Sequence, residues 1–208
     1  QLQERLTEIK QAVAANKQAL ARYTWQEQQT VSLKGEVKKQ TLYQVRLGPD
    51  GKNQKTDLSA PPPPPSGGRL KKRIVEKKVD ELKDYAQQIA ALVQSYVPPD
   101  PAKMQQAFQQ GTAMLGSAGS PGEVKIVFTN YNMQGDSMTL VFNREQKSIQ
   151  SVQVSSYLNN DPTDAVTFSA QFAKLPDGTN YMAGATVNGE KKQLTIQIQN
   201  MNYQMFSA

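Results

Sequence analysis

From Glu123 onward the chain alternates apolar and polar residues with few interruptions. The apolar sets are Val124, Ile126, Phe128; Met138, Leu140, Phe142; Val152, Val154; Phe168, Ala170, Phe172; and Leu194, Ile196, Ile198. A period of two puts each set on one side of a strand and its polar neighbours on the other. Gly135-Asp136, Pro176-Asp177-Gly178 and Asn188-Gly189 fall where hairpins need turns, Asn-Gly being the strongest two-residue signal. The expected product is an antiparallel meander with one apolar face, and such a face has to be covered by another layer.

The rest of the chain supplies that layer and a second β region. Leu2, Leu6, Ile9 and Val13 recur at helical spacing, with Leu20 two turns further on, so the first twenty residues form an amphipathic helix. At Tyr23 the period changes to two: Tyr23, Trp25, Val31 and Leu33 lie opposite Thr24, Gln26, Gln28, Thr30 and Ser32. After Gly35 a second strand carries Val37, Thr41, Tyr43, Val45 and Leu47, and Pro49-Asp50-Gly51 turns the chain into a short third strand over 52–58. Pro61 to Pro65 and Ser66-Gly67-Gly68 cannot continue a sheet, because proline has no N–H to donate. From Leu70 to Tyr96 the residues Val75, Val79, Leu82, Ala86, Ile89 and Val93 mark a long helix that stops at Pro98-Pro99. Asp100-Pro101 then caps a shorter one carrying Met104, Phe108 and Leu115. The reading is one α+β domain over 1–208: a curved antiparallel sheet, an incomplete β-barrel, covered by the N-terminal helix and a central helical insertion. Residues 59–69 form a Pro/Gly-rich loop, and 70–116 form the insertion, acting as a lid.

Composition narrows the chemistry. Neither histidine nor cysteine occurs among the 208 residues, which removes the commonest general base and the commonest thiolate and imidazole metal ligands. Glu76, Asp80, Glu81 and Asp84 mingle with Lys77, Lys78 and Lys83 as helix-surface pairs. Asp161, Asp164 and Asp177 sit in turns without the spacing of a calcium loop. No phosphate loop, nucleophile elbow or dinucleotide fingerprint is present. The expectation is no enzyme, no metal site and no cofactor. The remaining catalytic rival, acting on an anionic polymer, would need a carboxylate pair assembled by folding.

The formal net charge is +6. Arg69, Lys71, Lys72 and Arg73, followed by Lys77 and Lys78, open the long helix against its dipole. An anionic membrane surface or an acidic envelope protein is the expected contact. Nucleic acid is not expected, because no base-stacking aromatics interleave with these cations. No stretch reaches the about 20 apolar residues of a membrane helix. The chain begins at Gln1 without an initiator Met and without a signal-peptide pattern, so a processed chain is expected, periplasmic or secreted after signal-peptide removal.

If the sheet curves strongly, helices leave space in its hollow, and that space becomes an apolar pocket. Its expected lining is Trp25, Tyr43, Val45, Leu82, Ile89, Phe108, Phe128, Leu140, Phe142, Phe168 and Phe172. The order of elements, with the stretch Asp164 to Phe172, then Lys174-Leu175-Pro176-Asp177-Gly178 and a final Gln193 to Tyr203 strand, resembles LolA/LolB-like periplasmic lipoprotein carriers and their lipoprotein-sorting relatives. The resemblance spans most of the chain as an element order. It implies an incomplete barrel lidded by helices, with a cavity for acyl chains. That family also has an arginine that controls the lid, with Arg22, Arg46 and Arg144 as candidates here; the proline run and the lack of a lipidated cysteine depart from it. The functional expectation is a non-catalytic envelope protein that binds a lipid, lipoprotein or other amphiphile. The alternative is a structural or protein-interaction module of the envelope with a fully packed core.

Overall fold

The computed structural model describes residues 1–59, 69–116 and 119–206, with the backbone alone over 69–78. Helix α1 is Leu2–Leu20, followed by strands β1 (Tyr23–Leu33), β2 (Glu36–Leu47) and β3 (Asn53–Asp57). Helices α2 (Arg69–Gln94) and α3 (Pro101–Gln109) come next. Strands β4 (Ala113–Gly116), β5 (Glu123–Thr129), β6 (Ser137–Asn143), β7 (Ser148–Tyr157), β8 (Ala165–Lys174), β9 (Asn180–Gly189) and β10 (Leu194–Met205) complete the chain. All the strands belong to one 10-stranded sheet in the order β3-β2-β1-β10-β9-β8-β7-β6-β5-β4, and every pair in it is antiparallel. The sheet is open, with β3 and β4 at its two edges. The architecture is α+β on a curved antiparallel sheet, as the sequence indicates.

The topology explains how the helices come to lie on the sheet. Strands β3 and β4 follow one another in the chain yet lie at opposite edges, so the segment between them has to cross the sheet, and α2 and α3 lie along that crossing. Tyr85 and Ile89 of α2 sit over Gly189 of β9, the Tyr96 phenol reaches Asp136 and Ser156 near β6 and β7, and α3 lies against β4 and β5. Helix α1 is fastened separately at both ends. Asn16 and Asn180 exchange hydrogen bonds, Asn16 Nδ2 to the Asn180 carbonyl at 2.7 Å and Asn180 N to Asn16 Oδ1 at 2.6 Å. Toward the other end, Arg144 donates to both Glu8 carboxylate oxygens at 3.1 and 3.2 Å.

Two turn assignments change. Asn188-Gly189 is not the β9–β10 turn: both residues lie in β9, paired with Thr195 and Leu194, and the chain reverses over 190–193. Gly189 is glycine because a Cβ there would lie 2.7 Å from Ile89 Cδ1 and 2.8 Å from Tyr85 Oη, so the missing side chain admits α2 rather than bending the strand. The two-residue turn is instead Lys34-Gly35, both at positive φ (52° and 80°), between β1 and β2. The expected helical stretch 70–116 is also shorter than the apolar spacing suggests. Asp100 caps α3 as expected, its side chain accepting from Ala102 N, but α3 ends at Gln109. Gly111 at φ 73° breaks the helix, and Ala113–Gly116 pairs with β5 as an edge strand. Leu115 therefore belongs to a strand rather than to the stripe of Met104 and Phe108.

Candidate functional site

The sheet has two chemically opposite faces. On the core face, Val187, Phe168, Val154, Met138 and Phe128 form one buried row across five neighbouring strands, and Ala185, Ala170, Val152, Leu140 and Ile126 form the next. Of the residues expected to line a pocket, Ile89, Phe128, Leu140, Phe142 and Phe168 belong to this buried cluster, together with Leu6 and Ile9 from α1 and Tyr85 and Tyr96 from the α2 segment. Leu82, Phe108 and Phe172 pack against its margin. Phe128 and Leu140 have no solvent exposure at all (0% each).

Trp25, Tyr43 and Val45 go elsewhere. They lie on β1 and β2, beyond that core: Trp25 joins an aromatic group with the C-terminal strand, Val45 pairs with Trp25, and the Tyr43 ring faces the Lys55 ammonium at 5.6 Å. The Trp25 indole stacks on Tyr203 with centroids 5.3 Å apart, and Tyr203 meets Tyr181 at 4.5 Å. The indole N–H donates to Asn200 Oδ1 at 3.2 Å, which satisfies the one polar atom such a buried ring carries. Burial, with the nearby Tyr181 and Glu27, pushes the Tyr203 phenol well above its ordinary range. Glu27, 2% exposed, accepts from Gln29 Nε2 and Lys55 Nζ, both at 2.5 Å.

The other buried carboxylates are committed to joining helices to strands. Asp136 accepts from the backbone N–H groups of Tyr131, Asn132 and Met133 and from the Tyr96 phenol. Asp164 accepts from the Tyr85 phenol at 2.7 Å, and Lys191 lies 3.9 Å from it. Burial first, then these carboxylate partners, raise the Tyr85 and Tyr96 phenols above their usual range; burial pushes Tyr131 up to about 12. Asp136 is thus held by four donors, and Asp164 by one phenol with the Lys191 ammonium further off. Among the described residues there is no cluster of three or more His, Cys, Asp or Glu side chains able to hold a metal ion.

The outer face carries a feature that the sequence shows only once strand register is known. Across the six neighbouring strands β1, β10, β9, β8, β7 and β6, the register builds three continuous rows. The first is Ser32, Thr195, Asn188, Thr167, Ser155, Ser137. The second is Thr30, Gln197, Thr186, Ser169, Gln153, Thr139, and the third is Gln28, Gln199, Gly184, Gln171, Ser151, Val141. Apart from Gly184 and Val141 every position is Ser, Thr, Gln or Asn, and none is charged. Strands about 4.8 Å apart, with same-face residues about 6.8 Å apart along each, give a field of roughly 24 by 14 Å. An open trough of about 360 Å³ lies in its middle, bordered by Gln28, Gln197, Gln199, Ser169, Gln171 and Thr186, over Gly184. A Cβ at Gly184 would come within 3.3 Å of the Ile198 carbonyl oxygen, so this gap in the row is where two backbones approach.

Of the three candidate lid arginines, Arg144 is the one bound to a helix, through Glu8. Arg22 lies 3.9 Å from Asp177 in the β8–β9 turn, and Arg46 donates to Gln54. Hydrogen bonding to Arg144 holds the Glu8 carboxyl below the usual range. The proline run and the side chains of Arg69, Lys71, Lys72, Arg73, Lys77 and Lys78 lie outside the described residues.

Fold and faces together define the class: an open-sheet α+β protein with helices on its apolar face and an uncharged polar field across six strands of its outer face. No family model matches the chain, and no curated protein matches it. Among solved structures it is similar to the crystal structure of a DUF1329 family protein from Desulfovibrio piger. The two are 9% identical, and the match covers 96% of this chain and 92% of that chain with a TM-score of 0.45.

Proposed function

We propose that this is a non-catalytic binding module that works with the outer face of its sheet and keeps its interior filled. The observation that carries the reading is the set of three uncharged Ser, Thr and Gln rows across six strands. A face required only for solubility tolerates charge of either sign, and edge or exposed strands use lysine freely for that purpose. Here the chain's many charges are kept off the rows, although 24 Lys and Arg and 18 Asp and Glu were available to them.

An amphiphile carrier of the LolA/LolB type needs room between helices and sheet. Here eight of the eleven residues expected to line that room pack into one cluster with the helices, and Trp25, Tyr43 and Val45 lie outside it. Loading a chain would require α1 or α2 to leave the sheet, breaking the Arg144–Glu8 and Asn16–Asn180 clamps or the tyrosine–aspartate bonds. Native mass spectrometry after incubation with a long-chain fatty acid and with a triacylated lipopeptide tests the reading. The expected result is the apo mass alone. One amphiphile retained per chain, and displaced by a second amphiphile, would overturn it in favour of the carrier.

A further inference from the structure

The trough over Gly184 has a chemistry that selects its ligand, and we infer that it binds a neutral glycan chain. The inference rests on the surface-binding reading above and deepens it. Three observations converge on one class of partner.

First, the field is uncharged in a chain of net charge +6, so it offers nothing to a phosphate, a sulfate or an anionic head group, which are recognised by Arg, Lys or clustered backbone N–H groups. Second, Val141 is the one large apolar side chain in its rows, and the apolar neighbours Val37, Leu42 and Val127 belong to the strands that flank it, away from the trough. Protein interfaces are anchored by buried Trp, Tyr, Arg and similar residues, and acyl chains need an apolar surface. Third, its polar groups are unspent. Among the described residues, Thr195, Asn188 and Thr167 bond to one another, whereas the hydroxyls and amides around the trough have no side-chain hydrogen-bond partner.

A Gln amide presents a donor pair and an acceptor, and a Ser or Thr hydroxyl presents both roles at once. A neutral sugar presents the same mixture on every ring. A repeating polymer laid across the strands meets a repeating lattice, so the complementarity recurs along its length. The gap at Gly184 lets a ring approach the backbone between the flanking Gln199 and Gln171. Without an aromatic platform each contact is exchanged against water at little net gain, so affinity is expected to be weak per ring and to grow with chain length.

The test is residue-resolved NMR with maltohexaose, cellohexaose and chitohexaose, alongside the matching disaccharides. The expected result is that at least one hexasaccharide shifts the amide signals of Gln28, Ser169, Gln171, Thr186 and Gln199, with a Kd on the order of 1 mM. The corresponding disaccharide should bind roughly tenfold more weakly, and the double variant Gln171→Ala/Gln199→Ala should lose a similar factor. Both glutamines are exposed, so that variant keeps its fold; Gly184→Gln, which fills the trough, gives a second loss if it folds. Absence of shifts with all three hexasaccharides at about 10 mM, or equal shifts with dextran sulfate, would overturn the glycan inference. Neither result touches the filled interior, which the amphiphile experiment tests independently.

Discussion

Gly189→Ala is the substitution that most sharply probes how the α2 helix sits on the sheet. The new methyl would lie 2.7 Å from Ile89 Cδ1 and 2.8 Å from both Cε1 and Oη of Tyr85. Ile89 is 1% exposed, and the Tyr85 phenol is held by Asp164, so neither side chain has free space to retreat into. Overpacking of this kind costs about 1–3 kcal/mol, while replacing glycine recovers about 0.4–1 kcal/mol from the unfolded chain. The expected balance is a loss of about 1–2 kcal/mol. With a urea m-value of about 2 kcal/mol per molar, the midpoint moves down by roughly 0.5–1 M. Equilibrium urea unfolding followed by the fluorescence of Trp25, the single tryptophan, reads this directly. Ile89→Val removes the nearest offending carbon and alone costs about 1 kcal/mol. In that background Gly189→Ala should be cheaper by about 1 kcal/mol, a coupling well above the additive expectation. A neutral or stabilising Gly189→Ala, strictly additive with Ile89→Val, would refute the docking of α2 on β9.

Three further outcomes follow from the buried acids and the turns. Asp136→Ala removes the acceptor of three backbone N–H groups and the Tyr96 phenol and should cost about 3 kcal/mol or more; Asp136→Asn keeps one acceptor oxygen and should cost clearly less, both read by urea unfolding. Lys55→Met strands Glu27 and should cost about 3 kcal/mol, whereas Glu27→Gln leaves a half-exposed lysine free to reach water and should cost about 1 kcal/mol or less; equal losses would contradict the burial of Glu27. Asp177 accepts from the Thr179 backbone N–H and from the Tyr23 phenol, and hydrogen bonding from Thr179 first, then Tyr23, holds its carboxyl below the ordinary value. Its contribution to stability is thus complete above the ordinary carboxylate range and is lost as pH falls through the lowered folded value, so Asp177→Asn should flatten that acid limb in thermal unfolding.

Much of the fold is legible because period-two alternation is a direct print of a one-sided sheet. β1, β2 and β3 fall where Tyr23, Glu36 and the residues after Pro49-Asp50-Gly51 suggest, and the Asp100-Pro101 cap is where the sequence puts it. What escapes the sequence is information that exists only between elements. Asn188-Gly189 carries turn chemistry, yet its glycine answers to Tyr85 and Ile89, a hundred residues away in the chain. Leu115 continues a helical spacing, yet Gly111 ends that helix and β5 takes the following residues as an edge. Apolar residues can be assigned to the inner side of a curved sheet from the sequence, but whether they line a space or fill it depends on how closely α1 and α2 approach. The outer rows were half visible. Gln28, Thr30 and Ser32 stand out as a polar stripe, but only the pairing of β1 with β10, and onward to β6, turns six such stripes into one charge-free field. The signal that could have pointed to it is the recurrence of Ser, Thr and Gln, without Lys or Glu, at the polar positions of successive strands.

The most direct test of the central claim is an amide chemical-shift map of the protein titrated in parallel with a neutral hexasaccharide and with a soluble long-chain fatty acid. The account predicts saturable shifts confined to the outer positions of β1, β7, β8, β9 and β10 with the sugar, and none with the fatty acid. Saturable shifts at Ile89, Leu140 and Phe168 with the fatty acid, and an unperturbed outer face with the sugar, would contradict it.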